Sequence, residues 1–224
     1  MTLLEAIAAR HSVRSYHDRP LADDARAALQ QAIARANAEG GLNIQLVEND
    51  PSAFAGFLAH YGKFRGVRDY LVLAGAKAPD LDERIGYWGE QLVLLAQTLG
   101  LNTCWVALTY TKNAERVSLA PGDRLRCVIS LGYGTTQGAG HRIKQYADVV
   151  ATPVEADAPE WFRCGVEAAL LAPTAVNQQK FRFALRPDGT VEAKARWGFY
   201  AKIDLGIVKY HFELGAAPHK VVWA

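Results

Sequence analysis

Arg10-His11-Ser12-Val13-Arg14-Ser15-Tyr16 sets two guanidiniums, an imidazole and two hydroxyls into one short run of chain. Alternate residues of an extended segment point the same way, so Arg10, Ser12 and Arg14 can face one ligand. A guanidinium fork suits the oxygens of a phosphate, and a serine hydroxyl adds a further donor. An ordinary solvated basic loop has the same composition, and the pattern alone does not separate the two readings.

Upstream, Thr2 and Glu5 make a capping box ahead of Ile7, predicting a first helix from about Leu3 to Ala9. Downstream, Pro20 opens an Ala-rich helical stretch carrying Ala25, Leu29, Ile33 and Ala36, which stops at Gly40-Gly41. Leu42, Ile44 and Leu46 alternate as in a half-buried strand. Asp50-Pro51 reads as a cap and first helical residue, with Phe54, Phe57 and Leu58 on one face. A buried strand is expected at Tyr70 to Ala74. Asp80 is expected to cap the strongest helix, where Ile85, Trp88, Leu92, Leu95 and Leu99 recur before Gly100; Val93 and Leu94 on another flank make it central. Further strands are predicted at Cys104 to Leu108 and Leu125 to Leu131.

Asp148 to Pro159 reads as a crossing linker. Beyond it come a helix from Trp161 to Leu171, a strand with Phe181, Phe183 and Leu185, and a turn at Asp188-Gly189. A return strand through Val191 and Ala193, a helix from Tyr200 to Leu214 and a terminal strand at Val221-Val222-Trp223 complete the chain. Arg84, Gly86, Tyr87 and Trp88 before one helix end echo Arg196, Gly198, Phe199 and Tyr200 before another, so those helices are candidates to pair about a pseudo-two-fold axis. Chance likeness of two amphipathic helices is the competing explanation.

At 224 residues with half of them apolar, the chain can fill a sizeable core. Twenty-five basic and twenty-three acidic side chains leave a formal charge of +2 without a basic stripe, which argues against nucleic-acid binding. Cys104, Cys127 and Cys164 form no CxxC pair, no zinc spacing and no disulfide framework, as expected of a reducing, cytoplasmic setting. The apolar runs are too short to span a bilayer, and the start of the chain lacks a secretory core, so a protein outside the membrane is expected.

Two more segments bear on chemistry. Gly132-Tyr133-Gly134-Thr135-Thr136-Gln137-Gly138-Ala139-Gly140 follows a strand and precedes Arg142 and Lys144; it is neither GxGxxG nor a Walker sequence, but its glycines allow close backbone approach. Thr174, Asn177, Gln178 and Gln179 form a polar cluster between a helix and a strand, with amides that suit the edge of a pyrimidine-like ring. Both admit ordinary readings, as a surface loop and a capped connection. No GxSxG elbow is present. His17, His60 and His141 read as surface or loop residues, and His11 is placed to touch whatever the Arg/Ser run holds. The acids at Asp23-Asp24 and Asp80 to Glu83 suit helix N-termini rather than a metal.

The Arg10 to Tyr16 run resembles the opening signature of the nitroreductase superfamily, whose members bind flavin mononucleotide (FMN). The resemblance continues through Gly100 to Val106, Ile129 to Gly134 and His141 to Lys144. A TM-type subgroup of that superfamily is matched further by Tyr61 to Val67, Tyr87-Trp88-Gly89-Glu90 and Lys202 to Phe212. The loop order departs from that of ordinary members. Their Asn-bearing loop follows the first Arg/Ser loop, whereas its counterpart here is Pro173-Thr174-Ala175-Val176-Asn177-Gln178-Gln179.

The resemblance therefore implies an α+β nitroreductase-like fold with a mostly antiparallel central sheet flanked by helices. It also implies a fused pseudo-dimer: one domain over 1–224, with halves of about 1–147 and 160–224 joined by a linker near 148–159. One FMN per chain is expected, because no second Arg-x-Ser-x-Arg run follows the linker. The resemblance assigns its phosphate and polar edge to Arg10, His11, Ser12, Arg14 and Arg142. Backbone of Trp105, Val106, Ala107 and Leu108 would face the ring, including N5, although subgroup relatives tend to carry glycines at the last two positions. Pro173, Thr174, Ala175, Asn177 and Gln179 would complete the site.

The implied activity is hydride transfer from NAD(P)H through flavin N5 to a nitroaromatic, quinone or similar electron-poor acceptor, with no catalytic side chain and no metal. The alternatives left open are a different flavin-dependent reduction or dehydrogenation, and a non-catalytic or sensory FMN-binding protein. The expected partners are small-molecule donor and acceptor, with the chain a monomeric pseudo-dimer or part of a homo-oligomer.

Overall fold

The computed structural model describes residues 1–56, 62–111, 115–151 and 158–224. These fall into two units: Met1, Ala9–Leu81 and Leu92–Gly140 in the first, and Thr2–Ala8, Asp82–Gln91 and His141–Ala224 in the second. The fold is α+β, as expected.

The first unit is built on a four-stranded antiparallel sheet of β1 (Asn43–Val47), β2 (Asp69–Ala76), β3 (Asn102–Val106) and β4 (Asp123–Gly132), in the order β1-β2-β4-β3. Tyr70 to Ala74 are all buried, which is why this run carries no polar alternation and lies inside the sheet. Neighbouring residues of β1 serve two apolar clusters. Val47 joins Val13, Tyr16, Phe54, Phe64, Val72 and Val128, while Leu46 packs on Leu21, Ala25, Leu29, Leu101 and Leu131. Successive strand side chains alternate faces, so the sheet is covered on both.

α2 (Asp23–Gly40) supplies Ala25 and Leu29 to the second cluster and ends where Gly41, at φ 58°, donates its N–H to Asn37 O. Its start lies at Asp23 rather than near Pro20, with Asp23 and Asp24 in the first turn. Asp50 caps a short 3₁₀ turn, Pro51–Phe54, and accepts the Tyr70 hydroxyl at 2.8 Å; Phe57 and Leu58 lie outside the described residues. α3 (Leu81–Thr98) is the strong helix, and Leu92, Val93, Leu94 and Ala96 in its last two turns are all buried. Asp80 stands at its start without making the expected side-chain cap. The strand predicted to reach Leu108 ends at Val106, whose partner is Val128; Ala107 and Leu108 bend away from the ladder.

The second unit contains most of α1 (Leu3–Ala9), the Asp82–Gln91 part of α3, α4 (Tyr146–Val149) and α5 (Glu160–Leu170). It also holds the antiparallel hairpin of β5 (Phe181–Leu185) and β6 (Val191–Ala195), and α6 (Ala201–Ala216). The Thr2/Glu5 capping box forms reciprocally, at 2.8 and 3.2 Å. Phe162, Phe181, Phe183 and Phe212 are fully buried and meet in a chain of ring contacts 4.8–5.5 Å apart. The hairpin turns at Gly189, φ 82°, with Asp188 accepting the Thr190 N–H. The expected terminal strand reduces to one bridge, Trp223 to Val191. The stretch read as a linker begins in α4, capped by Gln145 and Asp148, and Val150 bridges to Phe183; residues 152–157 lie outside the described residues.

The two helix segments with echoing sequences pack together in this unit at glycines. A Cβ on Gly86 falls 2.0 Å from the Ile203 carbonyl oxygen, and one on Gly206 falls 1.9 Å from that of Glu83. Polar ties surround the crossing: Tyr87 Oη donates to Glu213 at 2.6 Å, Lys209 Nζ reaches Glu83 at 2.5 Å, and buried His211 and Glu90 meet at 2.9 Å. Because the obstructing atoms are backbone, the contact has no side chain that can yield. Gly206→Ala is predicted to destabilise the protein by about 3 kcal/mol or more despite alanine's better helix propensity, read as a lower midpoint in urea unfolding.

Candidate functional site

Residues 12–17 are held by backbone hydrogen bonds on three sides. Val13 N–H donates to Thr103 O at 3.0 Å; Tyr16 N–H and Arg65 N–H bond to Arg65 O and Arg14 O at 3.0 and 2.8 Å; Thr135 N–H donates to Ser15 O, and His17 N–H to Tyr133 O, at 2.9 and 2.8 Å. Val13 and Tyr16 point into the core, and the Tyr16 hydroxyl donates to Val13 O at 2.6 Å beside Ser130 Oγ at 2.8 Å. Burial holds the Tyr16 hydroxyl protonated, its pKa raised well above the usual tyrosine value. With Val13 and Tyr16 inward, Ser12 and Arg14 stay exposed. Arg10 is only 3% exposed, so at that position a solvated surface loop is excluded.

The structure brings these groups together around Cys104. Burial pushes the Cys104 thiol up, while Arg14, a hydrogen bond with the Ser12 hydroxyl, and Arg10 all act in the opposite direction. Among the described residues Arg14 forms no ion pair. Its guanidinium lies 5.9 Å from the centre of the Phe64 ring.

The glycine stretch after β4 makes its close approach to this run itself. A Cβ on Gly138 falls 2.8 Å from His11 Cβ and 3.2 Å from Ser12 O, and one on Gly134 meets Asn102 Oδ1 at 2.6 Å. Gly134 N–H donates to Asn102 Oδ1 at 3.0 Å, and Asn102 Nδ2 donates to Gln137. Asn102 is thus a positioning residue that its own sequence position did not single out. Trp105 and Ala107 are half-buried, Val106 is buried and Leu108 is exposed.

In the second unit, Pro173–Gln179 is stitched onto the segment that carries Arg142 and Lys144. Asn177 Nδ2 and Gln179 Nε2 both donate to Arg142 O, at 2.9 and 2.8 Å. Gln179 Nε2 also donates to Asn177 Oδ1, Lys144 N–H donates to Gln179 Oε1, and Lys144 Nζ donates to Gln179 O. Gln179 N–H in turn donates to Thr174 Oγ1 at 3.0 Å. Gln179, assigned a ligand role from sequence, is therefore buried with its amide spent inside the loop. Asn177 and Arg142 are exposed, and Thr174 is half-buried. Val176, Asn177 and Gln179 all have φ between 46° and 54°, and Val176 is a β-branched residue 88% exposed. Backbone in that region is strained for such residues and persists only where its surroundings impose it.

Asp204, in the first turn of α6, imposes it here. Its carboxylate accepts the Ala175 N–H at 3.0 Å and Gln178 Nε2 at 2.8 Å, while Gln178 Nε2 also donates to Phe199 O at 2.6 Å. Nothing in the sequence pattern marks Asp204 except its being a lone acid on an apolar helix face.

Residues 2–216 match the sequence family described as "Putative TM nitroreductase". A "putative nitroreductase" crystal structure from Thermotoga maritima MSB8 superposes with a TM-score of 0.67 at 22% identity, over 96% of this chain and 83% of that one. A "putative nitroreductase in complex with FMN" from Desulfovibrio desulfuricans aligns at 17% identity over 68% of this chain and 98% of its own, with a TM-score of 0.50. An NADPH:FMN oxidoreductase from Vibrio harveyi, complexed with NAD⁺, aligns at 17% identity over 68% and 78%, with a TM-score of 0.54. At these identities the structural likeness carries the fold. No curated protein matches the sequence. Among the described residues no helix is long and apolar enough to cross a membrane.

Burial pushes the Asp204 pKa from 3.8 up to about 6, against the two hydrogen bonds it accepts. A raised value means the fold binds this proton more tightly than the unfolded chain does. The stabilisation is complete below 3.8 and is lost as pH rises through about 6. The shift corresponds to on the order of 3 kcal/mol. Wild type is predicted to lose about that much stability relative to Asp204→Asn across this interval, measured by denaturant unfolding at a series of pH values; a pH-independent difference contradicts the assignment.

Proposed function

We propose that this chain, which belongs to the "Putative TM nitroreductase" family, is an FMN-dependent oxidoreductase. In this reading it passes a hydride from NAD(P)H to an electron-poor acceptor such as a nitroaromatic or quinone. The observation that carries the reading is the Arg10/Ser12/Arg14 cluster. One buried guanidinium, one exposed guanidinium free of ion pairs among the described residues, and a hydroxyl converge on a backbone fixed from three sides. That donor set fits a phosphate dianion, and the approach of Gly138 to His11 and Ser12 leaves their polar edge unobstructed by a side chain.

FMN, when bound, supplies the redox chemistry itself. The chain's residues then act by holding and orienting. Arg10, Ser12 and Arg14 take the phosphate, with His11 beside them and Arg142 as a further cation. Backbone around Trp105, Val106, Ala107 and Leu108 faces the ring. By the same resemblance, Pro173, Thr174, Ala175 and Asn177 supply the remaining contacts, with Gln179 holding their loop. Cationic groups near the ring favour its reduced, anionic form. The fused pseudo-dimer reading, with halves of about 1–147 and 160–224, is supported by lengths, and one FMN per chain follows from the single Arg-x-Ser-x-Arg run. The Desulfovibrio chain is covered over 98% of its own length by 68% of this one.

FMN titration of apoprotein, followed by flavin fluorescence, tests the assignment. Arg14→Ala and Ser12→Ala are each predicted to weaken FMN binding, Arg14→Ala by roughly ten- to a hundredfold, the range for a hydrogen bond to a charged group. Asn177→Ala is predicted to weaken it too. Unchanged affinity in Arg14→Ala and Ser12→Ala rejects the phosphate site.

A further inference from the structure

Lys63 and Arg65 line a cleft of about 630 Å³ together with Ser15 and Phe64, a volume in the range of small-molecule sites. Both cationic side chains are exposed, while Phe64 between them is buried. Among the described residues neither cation forms an ion pair, whereas Arg68, three residues on from Arg65, pairs with Asp18. Among the described residues no carboxylate lines the cleft.

The backbone beneath these cations is fixed. Arg65 exchanges hydrogen bonds with Arg14 O and Tyr16 N–H. Gly66 sits at φ 67°, and a Cβ there would fall 2.3 Å from Tyr16 O, so the turn after Arg65 is tied to the Arg/Ser run by a contact only glycine permits. Lys63 itself has φ 60°, an imposed conformation for a residue with a side chain. Two cations without an ion pair among the described residues, carried on a fixed backbone, suit an anion. A guanidinium fork beside an ammonium suits a phosphomonoester dianion in particular.

We infer that Lys63 and Arg65 form a phosphomonoester subsite whose ligand is the 2′-phosphate of the nicotinamide donor, so that the enzyme prefers NADPH to NADH. This rests on the donor reading above. The pyrophosphate is common to both donors and cannot select between them. Selection falls on the ribose 2′ position, where a carboxylate favours the free hydroxyl and a cation favours the phosphate. Among its described residues the cleft offers cations and no carboxylate. The other source of the same chemistry is the phosphate of FMN itself, which the experiment separates.

The test uses FMN-loaded protein and two readouts. Adenosine 2′,5′-bisphosphate and adenosine 5′-monophosphate are titrated by calorimetry, and kcat/KM is measured for NADPH and NADH. Wild type is expected to bind the bisphosphate more tightly and to favour NADPH. Lys63→Ala and Arg65→Ala are each expected to lower the NADPH/NADH ratio of kcat/KM roughly tenfold or more, mainly through KM, with FMN retained. Lys63→Arg should restore most of the ratio. Equal use of both donors by wild type, an unaltered ratio in both alanine variants, or loss of FMN from them overturns the subsite. Failure of the underlying donor reading looks different: the bisphosphate binds through Lys63 and Arg65, but neither donor reduces the bound flavin.

Discussion

Peptide groups of residues 13–17 are shared among three neighbours, Thr103 at the head of β3, Arg65 in the turn before β2, and Tyr133 with Thr135 after β4. A short polar segment with no regular secondary structure of its own is thereby fixed as firmly as a strand. Its inward residues, Val13 and Tyr16, seal one core cluster, which forces Ser12 and Arg14 outward. Glycines 66, 134 and 138 are required because each lets a neighbouring backbone come within contact of this run. The exposed Ser12/Arg14 edge and the packed Val13/Tyr16 edge are thus two faces of one segment, and a change on the inner face displaces the outer one.

The second unit solves a similar problem by different means. Its polar loop carries three non-glycine residues in the left-handed region, so local preference opposes the conformation. Gln179 from within and Asp204 from below override that preference with side-chain hydrogen bonds to backbone and amide groups. Asp204 is available because α6 is anchored at the glycine crossing and by the Phe212 ring cluster. Helix packing, a buried acid and an exposed strained loop therefore form a single chain of dependence.

Much of the architecture was legible from residue patterns because those patterns are local. The Thr2/Glu5 box, the Gly41 helix end, the Asp50-Pro51 cap and the Asp188-Gly189 turn each involve groups a few residues apart. Asp80 failed as a side-chain cap although its position was right, and the strand through Cys104 ended two residues early, at Val106, where it leaves β4. For the site, the Arg/Ser run was visible as chemistry, but its burial pattern was not: Arg10 is enclosed while Ser12 and Arg14 face out. Asn102 and Asp204 stayed hidden because their partners, Gly134 and Ala175, are 32 and 29 residues away. Gln179, read from sequence as a ligand contact, is buried and hydrogen-bonded within its loop, which only the hydrogen-bond partners reveal.

We propose that this chain binds FMN and uses it as a redox relay. The most direct measurement is the anaerobic visible spectrum of the FMN-reconstituted protein, freed of unbound flavin, before and after addition of NADPH or NADH. The expected result is retained oxidised-flavin absorbance that bleaches on addition of donor and returns with an electron-poor acceptor such as a quinone. Failure to retain FMN would contradict the cofactor assignment, and retained flavin that neither donor bleaches would contradict the enzymatic one.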